Sequence, residues 1–286
     1  MPLKMIKTPE KKKTVILPTY ILAVAAGKGG VGKSSVTVNV AIALKRAGYS
    51  VGIMDSDVYG PSVRRMLPEE TAPAQQGEMI QPAISHGIKV ISMAYFRKEN
   101  EAAAVRAPIA NGIITQFIKN VNWGVLDVLL IDFPPGTGDI QLTLSQHANL
   151  TGALIVTTPQ EVALMDVRKA INLFDQVNIP IVGVIENMSY YQPTPDGKKT
   201  YLFGKGGGER LASEIGAPFL GQIPIDEEIC RAGDEGLPLQ VKEGIDSPGA
   251  KAFEAIAANA IASASYLKRM AEDTPSTFNL IWKEMT

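Results

Sequence analysis

Cysteine is almost missing from this chain of 286 residues: there is one thiol, Cys230, so no internal disulfide can form and the fold must stand on an apolar core. A lone thiol fits a reducing compartment, and cytoplasm is the default expectation; the simplest role for Cys230 is a small, buried residue. An excess of charge of either sign is also missing. Lys and Arg number 28 against 29 Asp and Glu, a formal net charge of -1, so the whole molecule offers no attraction to nucleic acid or anionic lipid. Nor does any apolar run approach the roughly 18 to 20 residues that span a bilayer. The start, Met1 to Lys13, is basic without an apolar stretch behind a cleavage site, so no signal peptide is expected and the segment reads as a solvated arm.

What is present is apolar material at 45%, enough for a substantial core. Short β-rich runs recur at Ile21 to Ala26, Val51 to Met54, Ile88 to Ser92, Val128 to Ile131, Ala153 to Thr157, Ile181 to Ile185 and Phe219 to Ile223. Helical spacing fills Lys33 to Ala47, Pro108 to Lys119, Val162 to Val177 and Ala250 to Leu267. Alternation of this kind predicts an α/β fold: one mostly parallel, twisted sheet with helices on both faces and ligand-binding loops along one sheet edge. Pro68 to Gln81 reads as a long surface loop. The expected organisation is a flexible arm over 1–18, one domain over 19–268, and a tail over 269–286. In the tail Phe278, Ile281, Trp282 and Met285 lie at helical spacing, and packing of that segment on the protein's own surface is the expectation.

Directly after the first strand comes Gly27-Lys28-Gly29-Gly30-Val31-Gly32-Lys33-Ser34-Ser35, which fits G-x-x-x-x-G-K-[ST] and opens the first strong helix. Glycines let successive backbone N–H groups turn inward, so a helix N-terminus and a nest of amides surround the β- and γ-phosphates of a nucleotide. Lys33 adds a point charge, and the Ser34 hydroxyl suits the oxygen shell of Mg²⁺. Lys28 is a second cation beside the γ-phosphate, and such a lysine can act across a subunit interface as an arginine finger does.

The second strand ends in Asp55-Ser56-Asp57, two carboxylates at the same sheet edge. Both Asp55 and Asp57 are expected to reach Mg²⁺ or its waters, Asp57 to orient the attacking water and Asp55 to support the metal shell. A later strand, Val128 to Ile131, is apolar and ends in Asp132, the pattern of a Walker B strand whose acid holds Mg²⁺ through a water. Phe133-Pro134-Pro135-Gly136-Thr137-Gly138-Asp139 behind it reads as a γ-phosphate sensor.

With these motifs in hand, the chain resembles the Mrp/ApbC family of iron–sulfur carrier ATPases, within the deviant P-loop group that includes MinD and ParA. The supporting stretches are Asp55 to Ser62, Leu130 to Thr143, Thr158 to Lys169, Ile185 to Ser189 and Phe203 to Gly216. The resemblance implies a homodimer that closes on ATP, with Lys28 reaching the other subunit's phosphates and Asn187 and the backbone near Pro224 holding adenine. An Asn amide can pair with the adenine edge, and the chain has no N-K-x-D or T-K-x-D motif for guanine.

The departures are as informative. Members of that family that carry a [4Fe–4S] cluster have C-x-x-C shortly after N-M-S; here Pro193 and Asp196 stand at those positions, and Cys230 alone gives two sulfurs per dimer where a cubane usually takes four. Ala107 likewise replaces a usual Gly. Three readings stay open: an ATPase in iron–sulfur or metallocentre assembly that serves an unidentified client protein, a MinD/ParA-like positioning switch adhering to membrane or DNA, and a chaperone specific to one client. No nucleic-acid binding and no stable membrane association are expected. The segment Tyr190 to Tyr201 reads as a reshaped protein contact.

Overall fold

The apolar runs become the strands of one sheet. A computed structural model describes residues 17–96, 107–136, 138–194, 197–239 and 247–273. In chain order the elements are β1 (Tyr20–Ala25), α1 (Lys33–Arg46), β2 (Val51–Asp55), α2 (Val63–Met66), β3 (Ala74–Gln76), β4 (Met79–Gln81), β5 (Ala83–Ser85) and β6 (Ile88–Ser92). There follow α3 (Ala107–Asn120), β7 (Val128–Asp132), α4 (Asp139–His147), β8 (Gly152–Thr157), α5 (Glu161–Gln176), β9 (Ile181–Glu186), α6 (Gly207–Glu214), β10 (Phe219–Gln222), α7 (Glu227–Glu235) and α8 (Pro248–Asp273).

Eight strands form a sheet in the order β10-β9-β8-β1-β7-β2-β6-β5. Its pairs are parallel except β5, which runs antiparallel to β6. The residues of β2, β7 and β8 are buried throughout, which is why the strands read as continuous apolar runs instead of alternating ones. One core packs α1 and α8 on a face through Val36, Val40, Leu44, Phe253 and Ile256; the other packs α3, α4 and α5 on the opposite face through Ile114, Phe117, Leu144, Val167 and Phe174. The direction of strand addition reverses beside β1, with β7 on one side and β8 on the other, so the loop after β1 opens at the switch point where α/β sheets bind ligands.

Pro68 to Gln81 departs from the surface-loop expectation. It contains the hairpin of β3 and β4 around Gly77, whose φ is 62°, and the hairpin is tied to the segment between α3 and β7 by the Asn122 amide donating to the Ile80 carbonyl at 2.9 Å. Strands of three residues, Ala-Gln-Gln and Met-Ile-Gln, are too short to show a period-two pattern, so their pairing is what makes them strands. The short helices α2, α4, α6 and α7 were likewise not among the elements read from periodicity. Helix α6 starts in a run of glycines because a Cβ at Gly207 would lie 2.5 Å from the Pro159 carbonyl oxygen. The expectations for the arm before Leu17, for Asp196, and for the amphipathic segment after Pro275 fall outside the described residues.

Leu130 lies fully buried on the central strand β7. Leu130→Ala should destabilise the protein by about 2–5 kcal/mol in chemical denaturation, with the unfolding slope unchanged.

Candidate nucleotide-binding site

The loop between β1 and α1 closes on three local constraints. Gly30 and Gly32 have φ of 83° and 82°, values that L side chains disfavour. A Cβ at Gly27 would lie 2.1 Å from the Val167 amide nitrogen, so the loop sits directly on the backbone of α5. A Cβ at Gly32 would lie 2.2 Å from Asn187 Nδ2, and that same amide donates to the Val31 carbonyl at 2.8 Å. Sequence spacing therefore placed the loop correctly at the head of α1, and tertiary contacts from α5 and from the end of β9 fix its shape.

Asp132, at the end of β7 and fully buried, is the hub beneath the loop. Lys33 Nζ lies 2.7 Å from its Oδ1, Ser34 Oγ donates to its Oδ2 at 2.7 Å, and Thr37 Oγ1 donates to Oδ1 at 2.7 Å. Lys33, Ser34 and Asp132, which the sequence proposed separately, are thus one cluster. Thr37 was missed, although its position four residues after Lys33 puts it on the same face of α1, the one available signal.

Asp55 stands in register with Asp132 on the neighbouring strand. Its carboxylate accepts from the Asp57 amide at 3.1 Å and from Ser92 Oγ at 3.0 Å, and the Val63 amide at the start of α2 points at it from 3.4 Å. Burial and, next, the neighbouring Asp132 charge push its pKa up to about 7, against the opposing pull of Lys33. Ser92, at the end of β6, is a second residue the sequence did not flag. Asp57 is not brought to the hub: its Oδ1 accepts from the Tyr59 and Gly60 amides at 3.2 and 3.0 Å, a turn within its own loop. Lys28 is partly exposed and makes no ion pair or hydrogen bond among the described residues.

Asn187 and buried Pro224 line a cavity of about 670 Å³ together with Gly32, Ser35, Met188 and Phe203. Cys230 corrects the expectation of a buried residue: it is exposed at the rim of this cavity. Helix α7 buries Ala232, and two residues is more than half a turn, so Cys230 points to the other side. Glu186, fully buried beside Asn187, was also missed; it accepts from the Gly208 amide at 2.6 Å and from Ser189 Oγ at 2.5 Å.

The donors around the hub are a hydroxyl and two carboxylates, the hard oxygens that Mg²⁺ takes, and a cation already sits there in the form of the Lys33 ammonium. The set fits that metal.

Two outcomes check this geometry. Because Asp55 holds a proton in the fold up to about pH 7 while its unfolded value is 3.8, the folded state binds more protons between those values and its stability falls as pH rises through them. Thermal midpoints of the nucleotide-free protein should show Asp55→Asn gaining on wild type from about pH 5 to about pH 8, and a constant gap would contradict the coupling. Gly32→Ala should lower stability by about 1–2 kcal/mol, whereas Gly29→Ala, whose Cβ would meet nothing within 4 Å, should leave the midpoint unchanged.

Comparison with known proteins agrees with the geometry. Residues 18–261 match the family model described as ParA: NUBPL iron-transfer P-loop NTPase. An iron-sulfur cluster carrier protein of Synechocystis sp. is 45% identical over 262 residues, covering 88% of this chain and 74% of that protein. One of Pyrococcus horikoshii is 46% identical over 264 residues, covering 88% and 87%. Among solved structures, a nucleotide-binding protein from Archaeoglobus fulgidus in complex with ADP superposes with a TM-score of 0.69 at 38% identity, covering 82% of this chain and 90% of that one. The septum site-determining protein MinD of Pyrococcus horikoshii, complexed with Mg-ADP, gives a TM-score of 0.58 at 22% identity over 83% and 94% of the two chains, a likeness of fold alone. With a P-loop on a parallel sheet and a family match across most of its length, the chain belongs to the NUBPL-type iron-transfer P-loop NTPases of the ParA group.

Proposed function

We propose that the chain is a Mg²⁺-dependent ATPase that acts in iron–sulfur cluster or metallocentre assembly as an ATP-switched homodimer. The observation that carries this reading is the buried Asp132 hub, which gathers Lys33, Ser34 and Thr37 under a loop held open by Gly30 and Gly32. Its assembly role is supported by the names of relatives about 45% identical along most of the chain.

In this reading the loop amides and the N-terminus of α1 bind the β- and γ-phosphates, and Lys33 places its charge against them. Ser34 and Asp132, with Asp55 behind, hold Mg²⁺, whose charge offsets that developing on the phosphates during transfer. Asp57 orients the attacking water through Oδ2, which carries no hydrogen bond among the described residues. Lys28, without an ion pair or hydrogen bond among the described residues, extends to the phosphates of the second subunit. Asn187 and the chain at Pro224 hold adenine in the adjoining cavity. One thiol per chain is too few for a resident cubane in the dimer, so iron and sulfide are cargo or client chemistry here.

Calorimetry with Mg-ATP should show binding abolished by Lys33→Ala. Asp57→Ala should keep affinity within a few-fold while turnover falls at least about tenfold, and wild-type turnover in that variant would move the water-orienting role elsewhere. Lys28→Ala should lose ATP-dependent dimerisation in light scattering. Anaerobic reconstitution with iron and sulfide should leave no stoichiometric cubane; one retained without ATP would overturn the cargo assignment.

A further inference from the structure

The segment after β9 builds a surface at the edge of the nucleotide site: Leu202 and Phe203 also line the cavity assigned to adenine, whereas Tyr190, Lys199, Tyr201 and Lys205 do not. Lys199 Nζ lies 3.8 Å from the centroid of the Tyr190 ring, Tyr190 packs edge-on to Tyr201 with centroids 6.4 Å apart, and Lys205 Nζ lies 5.1 Å from the Tyr201 centroid. Lysines 198, 199 and 205 are exposed, and none of them meets a carboxylate among the described residues. Beside them Tyr191, Leu202 and Phe203 are 44%, 57% and 39% exposed. A cation resting on an aromatic face has lost part of its rotamer freedom, so the entropy cost of engaging a carboxylate has largely been met before binding.

The ladder is anchored to the sheet. Tyr191 and Thr200 exchange backbone hydrogen bonds at 2.8 Å in both directions, and the Ile225 amide donates to the Tyr190 carbonyl at 2.7 Å. The chain leaves β9 through Glu186 and Asn187, whose side chains hold α6 at the Gly208 amide and the phosphate loop at the Val31 carbonyl.

We propose that this surface docks an acidic segment of a protein partner, one that sets carboxylates against Lys198, Lys199 and Lys205 and an apolar side chain against Leu202, Phe203 and Tyr191. Exposed aromatic and apolar anchors rimmed by cations are the composition of a protein interface. Single-stranded nucleic acid is the weaker fit: the Tyr190 ring is buried and the Tyr190 and Tyr201 rings each already carry an ammonium, which leaves Tyr191 and Phe203 as the exposed rings. A flat anionic membrane fits poorly too, because Asp226, Glu227 and Glu228 line a cavity of about 270 Å³ with Tyr191 and would face the same lipid. A narrow peptide avoids them.

The test uses the full chain without nucleotide, so that its failure leaves the ATPase reading standing. Fluorescence anisotropy follows a labelled oligoglutamate peptide with a central leucine at about 50 mM salt, where surface charge is weakly screened. Saturable binding is expected. The double variant Lys199→Gln/Lys205→Gln should weaken it about tenfold. Tyr201→Leu, which keeps every charge and removes one ring, should weaken it several-fold with thermal stability checked alongside. Lys169→Gln/Lys251→Gln, on α5 and α8, should leave it unchanged. No saturable binding, equal binding by the Lys199/Lys205 variant, equal binding by a folded Tyr201→Leu, or tighter binding of oligothymidylate or of phosphatidylserine vesicles would each overturn the proposal.

Discussion

A buried carboxylate sets the terms for this protein. Asp132 is fully buried at the end of a central strand, and its ionised form is tolerable there only because an ammonium and two hydroxyls surround it. All three partners come from the first turns of α1, so the hub also fixes where that helix begins and how its N-terminal amides point. Parallel register then places Asp55 directly beside Asp132. Burial first, and the charge of Asp132 on the adjacent strand next, raise the Asp55 pKa to about 7.

The phosphate loop is shaped as much by what presses on it as by its own glycines. Gly27 lies on the backbone of α5, and Gly32 lies against the Asn187 amide at the end of β9. Through these contacts the loop touches the strands on the far side of β1 as well as the hub on the near side. Glu186 and Asn187, adjacent in sequence, face opposite tasks: one holds the start of α6 and the other the phosphate loop. The phosphate loop and the start of α6 are thereby both bonded to the end of β9, where the segment that carries the tyrosine–lysine ladder begins.

The glycine run before α6 shows how a stretch that resembles a flexible linker becomes ordered. Gly207 and Gly208 let the helix start approach the Pro159 carbonyl and the Glu186 carboxylate more closely than any side chain allows. The Gly208 amide of α6 then donates to the Glu186 carboxylate at the end of β9 instead of to a capping residue of the helix's own.

By itself the sequence determined the strands buried on both faces, because a parallel sheet covered by helices demands unbroken apolar runs, and it determined the phosphate loop, because glycines and a lysine at fixed spacing before a helix have one physical use. It also brought out Asp55 and Asp132 as residues at strand ends, and Asn187 through the family resemblance. Thr37, Ser92 and Glu186 were not visible, since a buried polar side chain is recognised by the partner it meets and those partners lie on other elements. Only the tertiary structure decided that the stretch from Pro68 holds a hairpin, that Cys230 faces solvent, and that Asp57 bonds to its own loop. Three-residue strands, one helix face against another, and a carboxylate's choice of amide are settled by neighbours distant in the chain, and periodicity along the chain carries no record of them.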